Sequence, residues 1–317
     1  MSPFSSVAHH SSADNAPGAA KVLLFGYVNL NVIDGSAFFL AGMAAMLSGR
    51  AGVGVDLLSA NKIKQRNVVA ELEWRPNVHV IDPFVERELF PFIAPEKSHT
   101  LSRFEAAESI LALDRSFGYD SIIVRDTEVA RLAVEARPEI ASRLAVYVTG
   151  IAFLDRPVAD SIQSGLFALK GRGVRFMLQT QEMLEKARAE IEWFRSESTI
   201  VLGPFVPFDR HFRLQDPPSV YLPSKLVYAG KFFPNWAPEK ILSGFDFARM
   251  TTPELSMVVA GDAFKNSENN PTFASEVKWL LSNTAGVEWR GGVPRQVVRD
   301  LVASADVGVS WRSPNSI

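Results

Sequence analysis

Short runs of valine, isoleucine and leucine alternate along this chain with longer stretches whose apolar residues recur every third or fourth position. The first pattern is that of a strand buried on both faces, the second that of a helix packed by one face. Their alternation specifies βαβ units, because parallel neighbours need a crossover that returns the chain to the same end of the sheet. In the first half the strand runs lie at 21–28, 53–59, 78–81, 121–125, 144–149, 174–178 and 199–202, and helical periodicity covers 35–47, 101–117, 128–136 and 181–194. This predicts one doubly wound domain over 21–203. Residues 1–20, small and polar, lack the basic start and apolar middle of a signal peptide and are expected to be a disordered lead-in.

The pattern breaks over 203–224, where five prolines exclude a regular helix or a central strand and mark an interdomain linker at 204–224. A second α/β run then occupies 225–317, with strands expected at 225–229, 255–260, 287–290 and 307–311 and helices at 238–247, 273–281 and 294–303. Pro238 and Pro294 suit a first helical turn, where no amide donor is needed. A doubly wound domain commonly has about six strands. The expectation is therefore an α/β protein of two Rossmann-like domains, the second incomplete with about four parallel strands.

Composition narrows the chemistry. The 317 residues are 47% hydrophobic and 21% charged with a net charge of -2, so no global field favours nucleic acid. The absence of cysteine rules out disulfides, thiolate catalysis and cysteine-ligated metal, and is compatible with a cytoplasmic location. The most apolar stretch, 37–47, is far shorter than the ~20 residues that cross a bilayer. There is no Asp-x-Asp triplet, and His9, His10, His79, His99 and His211 lack zinc-ligand spacing, so no metal or other cofactor is expected. The Gly-x-Gly pairs at 52–54 and 171–173 precede strands instead of following them, which argues against a dinucleotide dehydrogenase.

The segment KLVYAGKFFPNWAPEKIL, residues 225–242, places Lys231 just past a strand and Lys240 in the first turn of the next helix. In an open α/β sheet, ligands sit beyond the carboxyl ends of the strands. Two lysines and free helix-start amides there suit a diphosphate, although two solvated surface lysines would look the same in isolation. In context the segment resembles the family 4 glycosyltransferases. VYAGKFFPNWAPEK is similar to that family's strand, Gly-Arg/Lys pair and Glu-Lys helix start, LSMVVAGD to its second strand ending at glycine, and VEWRGGVPRQVVRDLVASADVGVSW to its Gly-Val turn, helix and Ala-Asp-Val strand. The resemblance spans most of the chain and is specific from about Gly203 onward.

That resemblance implies the two-Rossmann architecture called GT-B and transfer of a sugar from a nucleotide-diphosphate donor with retention of configuration. It further implies that Lys231 and Lys240 contact the donor diphosphate, that Gly261 allows close approach of the ligand, and that the backbone at Val293 meets the nucleobase. The loop NVIDGS at 31–36 resembles the family's glycine-containing loop beside the transferred sugar, with Gly35 serving close approach or positive φ and Ser36 next to it. Arg125 ends a strand facing the expected cleft and is assigned to an acceptor or phosphate; Asp126 reads as a helix cap.

The family's paired glutamates after the Ala-Asp-Val strand have no counterpart before Ile317, so the expected chain is an incomplete form. Its expected partners are a nucleotide-sugar donor and a saccharide or lipid-linked glycan acceptor, in polysaccharide or glycoconjugate synthesis. Lys170, Arg172 and Arg175 beside Leu166, Phe167 and Phe176 leave two readings open: solvated charges around a helix end, or a peripheral contact with an anionic membrane. The rival to the enzyme is a non-catalytic nucleotide-binding or scaffold module of the same fold.

Overall fold

The computed structural model describes residues 20–32, 35–94, 99–148, 151, 157–203, 223–265 and 270–310. The expected lead-in up to residue 19 and the linker over 204–222 lie outside these residues, as do the ends of the strands expected to reach 149 and 311. The chain divides into two compact units, Met1–Phe212 and Arg213–Ile317.

Among the described residues, seven parallel strands build the first unit: β1 (Ala20–Gly26), β2 (Val53–Leu58), β3 (Val78–Ile81), β4 (Ser121–Arg125), β5 (Leu144–Tyr147), β6 (Arg175–Leu178) and β7 (Thr199–Val201). Their order is β3-β2-β1-β4-β5-β6-β7. The chain starts in the middle, winds out to β3, then crosses back to lay β4 on the other side of β1. The reversal between β1 and β4 is the switch point at which such sheets open a crevice.

The helices are α1 (Gly35–Leu47), α2 (Ala70–Glu73), α3 (Arg103–Phe117), α4 (Thr127–Ala136), α5 (Asp160–Phe167) and α6 (Gln181–Glu190). They cover both faces of the sheet. Leu23, Phe25, Ile122 and Val124 point into one cluster, and Val22, Leu24, Ile123 and Tyr147 into the other, with α1. This is why strands such as AKVLLFG read as unbroken apolar runs instead of alternating.

Local signals set the helix starts. Ser102 and Glu105 form a capping box at α3, Asp126 caps α4 by accepting from the Val129 amide, and Thr180 caps α6. At the far end of α3, Asp114 is buried and gripped by Arg143 through two bonds, Nη1 to Oδ1 at 2.8 Å and Nη2 to Oδ2 at 2.9 Å. Arg137 pairs with its Oδ2 at 3.0 Å.

The second unit repeats the winding with β8 (Lys225–Ala229), β9 (Ser256–Ala260), β10 (Val287–Trp289) and β11 (Val307–Gly308), joined by α7 (Pro238–Arg249), α8 (Phe273–Asn283) and α9 (Arg295–Ala303). The order β10-β9-β8-β11 contains the same reversal, between β8 and β11. The expected α/β class, with two Rossmann-like parallel sheets and four strands in the second, is thus the observed one.

Details differ for physical reasons. The helix expected through 194 stops at Glu190, and a tighter 3-10 turn, Glu192–Ser196, carries Phe194 into the core beside Phe176. Pro294 is the residue before α9, with φ -57° and ψ 151°, so it leads into the helix from extended backbone and not from within its first turn. The short helices α2 and α5 were not expected; neither has enough turns to show a periodicity.

Candidate functional site

In the second unit the strands β8, β9 and β10 lead into glycines at their carboxyl ends. The Gly230 amide donates to the Ala260 carbonyl at 3.0 Å, and the Gly261 amide to the Gly291 carbonyl at 2.7 Å. Gly261 has φ 151°, and a Cβ on it would lie 2.0 Å from the Gly230 carbonyl oxygen. A Cβ on Gly292 would meet the Asp262 carboxylate at 2.4 Å. The close approach assigned to Gly261 is therefore made first by its own chain, with Trp289 Nε1 donating to the Gly261 carbonyl at 2.8 Å.

Beyond Gly230, the Phe232 amide donates to the Ala263 carbonyl and the Lys265 amide to the Phe232 carbonyl, both at 2.9 Å. These bonds zip the loops after β8 and β9 together. Phe232 is buried in a stack with Tyr228 and Phe264, and the Tyr228 hydroxyl donates to the Lys231 carbonyl at 2.5 Å. The backbone of Lys231 is thus fixed by its neighbours while its side chain is half-buried.

A 3-10 turn at Pro234–Trp236 then leads to Ala237, which at φ 44° is the one non-glycine residue with positive φ among the described residues. Left-handed alanine is strained, and such strain persists only where the surroundings hold it. It turns the chain sharply into Pro238, the first residue of α7. Lys240, whose amide donates to the Ala237 carbonyl at 2.9 Å, stands exposed in the first turn beside Glu239. No side chain caps α7, so the positive end of its dipole remains open to an anion, although Pro238 carries no amide hydrogen and the Lys240 amide is already given to Ala237.

Val293 lies on the loop after β10. Its half-buried side chain packs, with Val297, Val298 and Ala305, against Val227, Val258, Ala260 and Leu301. The side chain belongs to the core.

In the first unit the structure brings Arg125 and Ser36 together: Arg125 Nη2 donates to Ser36 Oγ at 3.0 Å. Gly35, the first residue of α1, is exposed and is not among the glycines at positive φ. The backbone-conformation reason for a glycine there is therefore withdrawn; a Cβ would meet nothing within 4 Å, so the chain's own packing does not exclude one. Two residues of the loop at 31–36, numbers 33 and 34, lie outside the described residues. Asp126 does act as the helix cap, and is further held by Arg103 at 3.2 Å.

Sequence reasoning missed Tyr147 and Gln179. Tyr147 is 2% exposed and stacks on Phe39 of α1 with ring centroids 4.5 Å apart. Burial raises its hydroxyl pKa, against the opposing influence of the Gln179 side chain and the Arg125 charge. The hydroxyl nonetheless makes no hydrogen bond of good geometry. Nothing in the sequence marks it, because its surroundings depend on which strand lies beside which.

Lys170, Arg172 and Arg175 are exposed, and Lys170 Nζ lies 5.5 Å from the ring centre of Phe167, itself 58% exposed. Among the described residues, no group of three or more His, Asp or Glu side chains converges as a metal site requires, and no helix is long and apolar enough to cross a membrane.

Solved structures share this fold. The Anabaena protein HepE, crystallised with UDP and glucose, is 16% identical over 92% of this chain and 74% of its own, with a TM-score of 0.57. Sucrose-phosphate synthase from Thermosynechococcus elongatus is 13% identical, with 92% of this chain and 75% of its own covered and a TM-score of 0.56. A glycosyltransferase from Rickettsia africae is 12% identical, with 92% and 72% covered and a TM-score of 0.56. The chain thus has the two-Rossmann GT-B fold of these glycosyltransferases. No family model matches it, and no curated protein matches it in sequence.

Proposed function

We propose that this protein is a glycosyltransferase of the retaining, family 4 type, which takes its sugar from a nucleotide-diphosphate donor and passes it to a saccharide or glycoconjugate acceptor. One observation carries the reading: Lys231 and Lys240 flank the uncapped start of α7 at the carboxyl end of β8. Donor complexes of HepE, solved with UDP and with UDP-glucose, support the choice of ligand.

In this reading the second unit binds the donor. Lys231, Lys240 and the positive end of the α7 dipole hold the diphosphate, the glycine-lined strand ends admit it, and the backbone at Val293 meets the base. The acceptor is held by the first unit. Transfer breaks the bond between the anomeric carbon and the phosphate oxygen, whose electron pair leaves with the nucleoside diphosphate. The acceptor hydroxyl bonds to the same face of that carbon and gives its proton to the departing phosphate. No side-chain nucleophile takes part. The lysines act where charge develops, on the leaving diphosphate, and a contact of that kind contributes about 2.7 kcal/mol or more to the transition state.

The test is release of nucleoside diphosphate from a panel of nucleotide sugars, comparing the unaltered chain with Lys231→Ala and Lys240→Ala. Each substitution is expected to lower the rate about a hundredfold. Turnover that both variants leave unchanged would remove the assignment. Nucleotide binding without any turnover would favour the non-catalytic module.

A further inference from the structure

Between the basic corner after β8 and the loop after β10 stands a carboxylate that the proposed donor site does not use. Asp262 follows Gly261, the first residue beyond β9, and β9 lies between β8 and β10 in the sheet. Its place is fixed by the backbone around it. The Arg290 amide donates to the Val259 carbonyl at 2.9 Å, the Gly261 amide to the Gly291 carbonyl at 2.7 Å, and Trp289 Nε1 to the Gly261 carbonyl at 2.8 Å. These bonds tie the exits of β9 and β10 together.

Asp262 is exposed, and its carboxyl group leans onto the loop after β10. A Cβ on Gly292 would lie 2.4 Å from Oδ2, 2.8 Å from Cγ and 2.9 Å from Oδ1. The carboxylate therefore occupies the room that a side chain at 292 would need. Gly292 is not among the glycines at positive φ, so its backbone conformation does not ask for a glycine, whereas the approach of Asp262 does. No described residue donates a hydrogen bond to this carboxylate or pairs with it.

Order along the sheet decides what such a group can meet. A diphosphate at Lys231 and Lys240 lies beyond β8, and a base at the Val293 backbone lies beyond β10. Neighbouring strands are about 4.8 Å apart, which leaves β9 and Asp262 beneath the part of the nucleotide between the two ends. That part is the ribose. A carboxylate repels a diphosphate, but its two oxygens accept from the 2′ and 3′ hydroxyls of a ribose, a neutral pair of donors. In doubly wound sheets that bind dinucleotides, an acidic side chain downstream of the first glycine turn takes the ribose in this way. Asp262 stands one helix and one strand beyond Gly230.

We propose that Asp262 binds the ribose hydroxyls of the donor nucleotide, and that the bare Cα of Gly292 lets its carboxylate lie where it meets them. The inference rests on the glycosyltransferase reading, which supplies the nucleotide and its direction across the sheet. It makes donor selection depend on the pentose as well as on the phosphates, so that a ribonucleotide is preferred to its 2′-deoxy form.

The full chain is titrated calorimetrically with UDP, GDP, ADP and their 2′-deoxy counterparts, in EDTA so that no divalent cation bridges the carboxylate to the diphosphate. Each nucleotide that binds is expected to do so about tenfold or more tightly than its deoxy form, as for one hydrogen bond to a charged group. Asp262→Ala should bring that ratio close to one with an unchanged melting temperature, since the residue is exposed. Gly292→Ala, which keeps the carboxylate but displaces it, should lower the ratio as well. Lys231→Ala should weaken both forms alike and leave the ratio as it was. A ratio near one in the unaltered chain, or one that Asp262→Ala leaves unchanged, would overturn the ribose assignment while the observed nucleotide binding keeps the donor reading standing. Binding that returns only with magnesium and disappears in Asp262→Ala would replace the ribose contact by a metal bridge. No binding of any nucleotide, with or without magnesium, would bring down the donor reading and this inference with it.

Discussion

Gly261 shows how tightly single positions are constrained at the carboxyl edge of the second sheet. Its φ of 151° and the 2.0 Å approach of a Cβ to the Gly230 carbonyl oxygen leave alanine no relaxed geometry. Gly261→Ala should destabilise the second unit by about 2–3 kcal/mol, through strain and a forced shift of β8 against β9. Urea unfolding followed in that unit would measure it, and a loss below about 0.5 kcal/mol would show that the strand ends are looser than described. Gly35→Ala offers the contrast. With nothing within 4 Å of the added carbon, it should leave stability nearly unchanged or slightly raised, since alanine is the better helix former. The two glycines looked alike in the sequence, each at a strand-to-helix passage. Only the neighbouring strand, set by pairing between distant segments, separates them. Tyr147 was illegible for the same reason, whereas Asp126 was legible because a cap needs only the next three residues.

At the scale of elements, the strands were readable because both faces of each sheet are covered, which turns a central strand into an apolar run bounded by polar residues. Helices with a single apolar stripe, such as α4 and α8, were readable for the complementary reason. The clamp that fastens α3 to the approach of β5 was not. Burial of Asp114 works to raise its pKa, but hydrogen bonds from Arg143 and the Tyr119 amide, with the charges of Arg143 and Arg137, outweigh it and hold the carboxyl below its ordinary value of 3.8. A carboxylate whose folded pKa is depressed adds stability that is complete above the unfolded value. That stability is lost as pH falls through the folded one, here in the window below 3.8. Asp114→Asn should cost about 3 kcal/mol at neutral pH, because it leaves the Arg143 guanidinium without its two-bonded anion and takes from Arg137 one of its two carboxylate partners, the other being Glu139. It should also flatten the acid limb of the stability curve. Denaturant titrations of both proteins from neutral to strongly acidic pH check both, and an unaltered acid limb would contradict the assignment.

For the whole molecule, each unit has its own winding and its own core clusters, so a ligand held by one unit stabilises that unit first. A nucleoside diphosphate at one hundred times its Kd should add about 2.7 kcal/mol to the unit that binds it. Hydrogen exchange should then show protection centred on β8 and the first turn of α7. The fold class and the order of the elements follow from patterns that any single stretch of chain displays. The chemistry of the strand ends emerges only once distant stretches are paired. The account turns on the basic corner at the start of α7, and calorimetric titration of UDP, GDP and ADP into the unaltered chain and into the Lys231→Ala, Lys240→Ala double variant addresses it most directly. The account predicts that at least one nucleotide binds the unaltered chain and loses about tenfold or more in affinity for each lysine removed. Equal binding by the two proteins, or none by the unaltered chain, would contradict it.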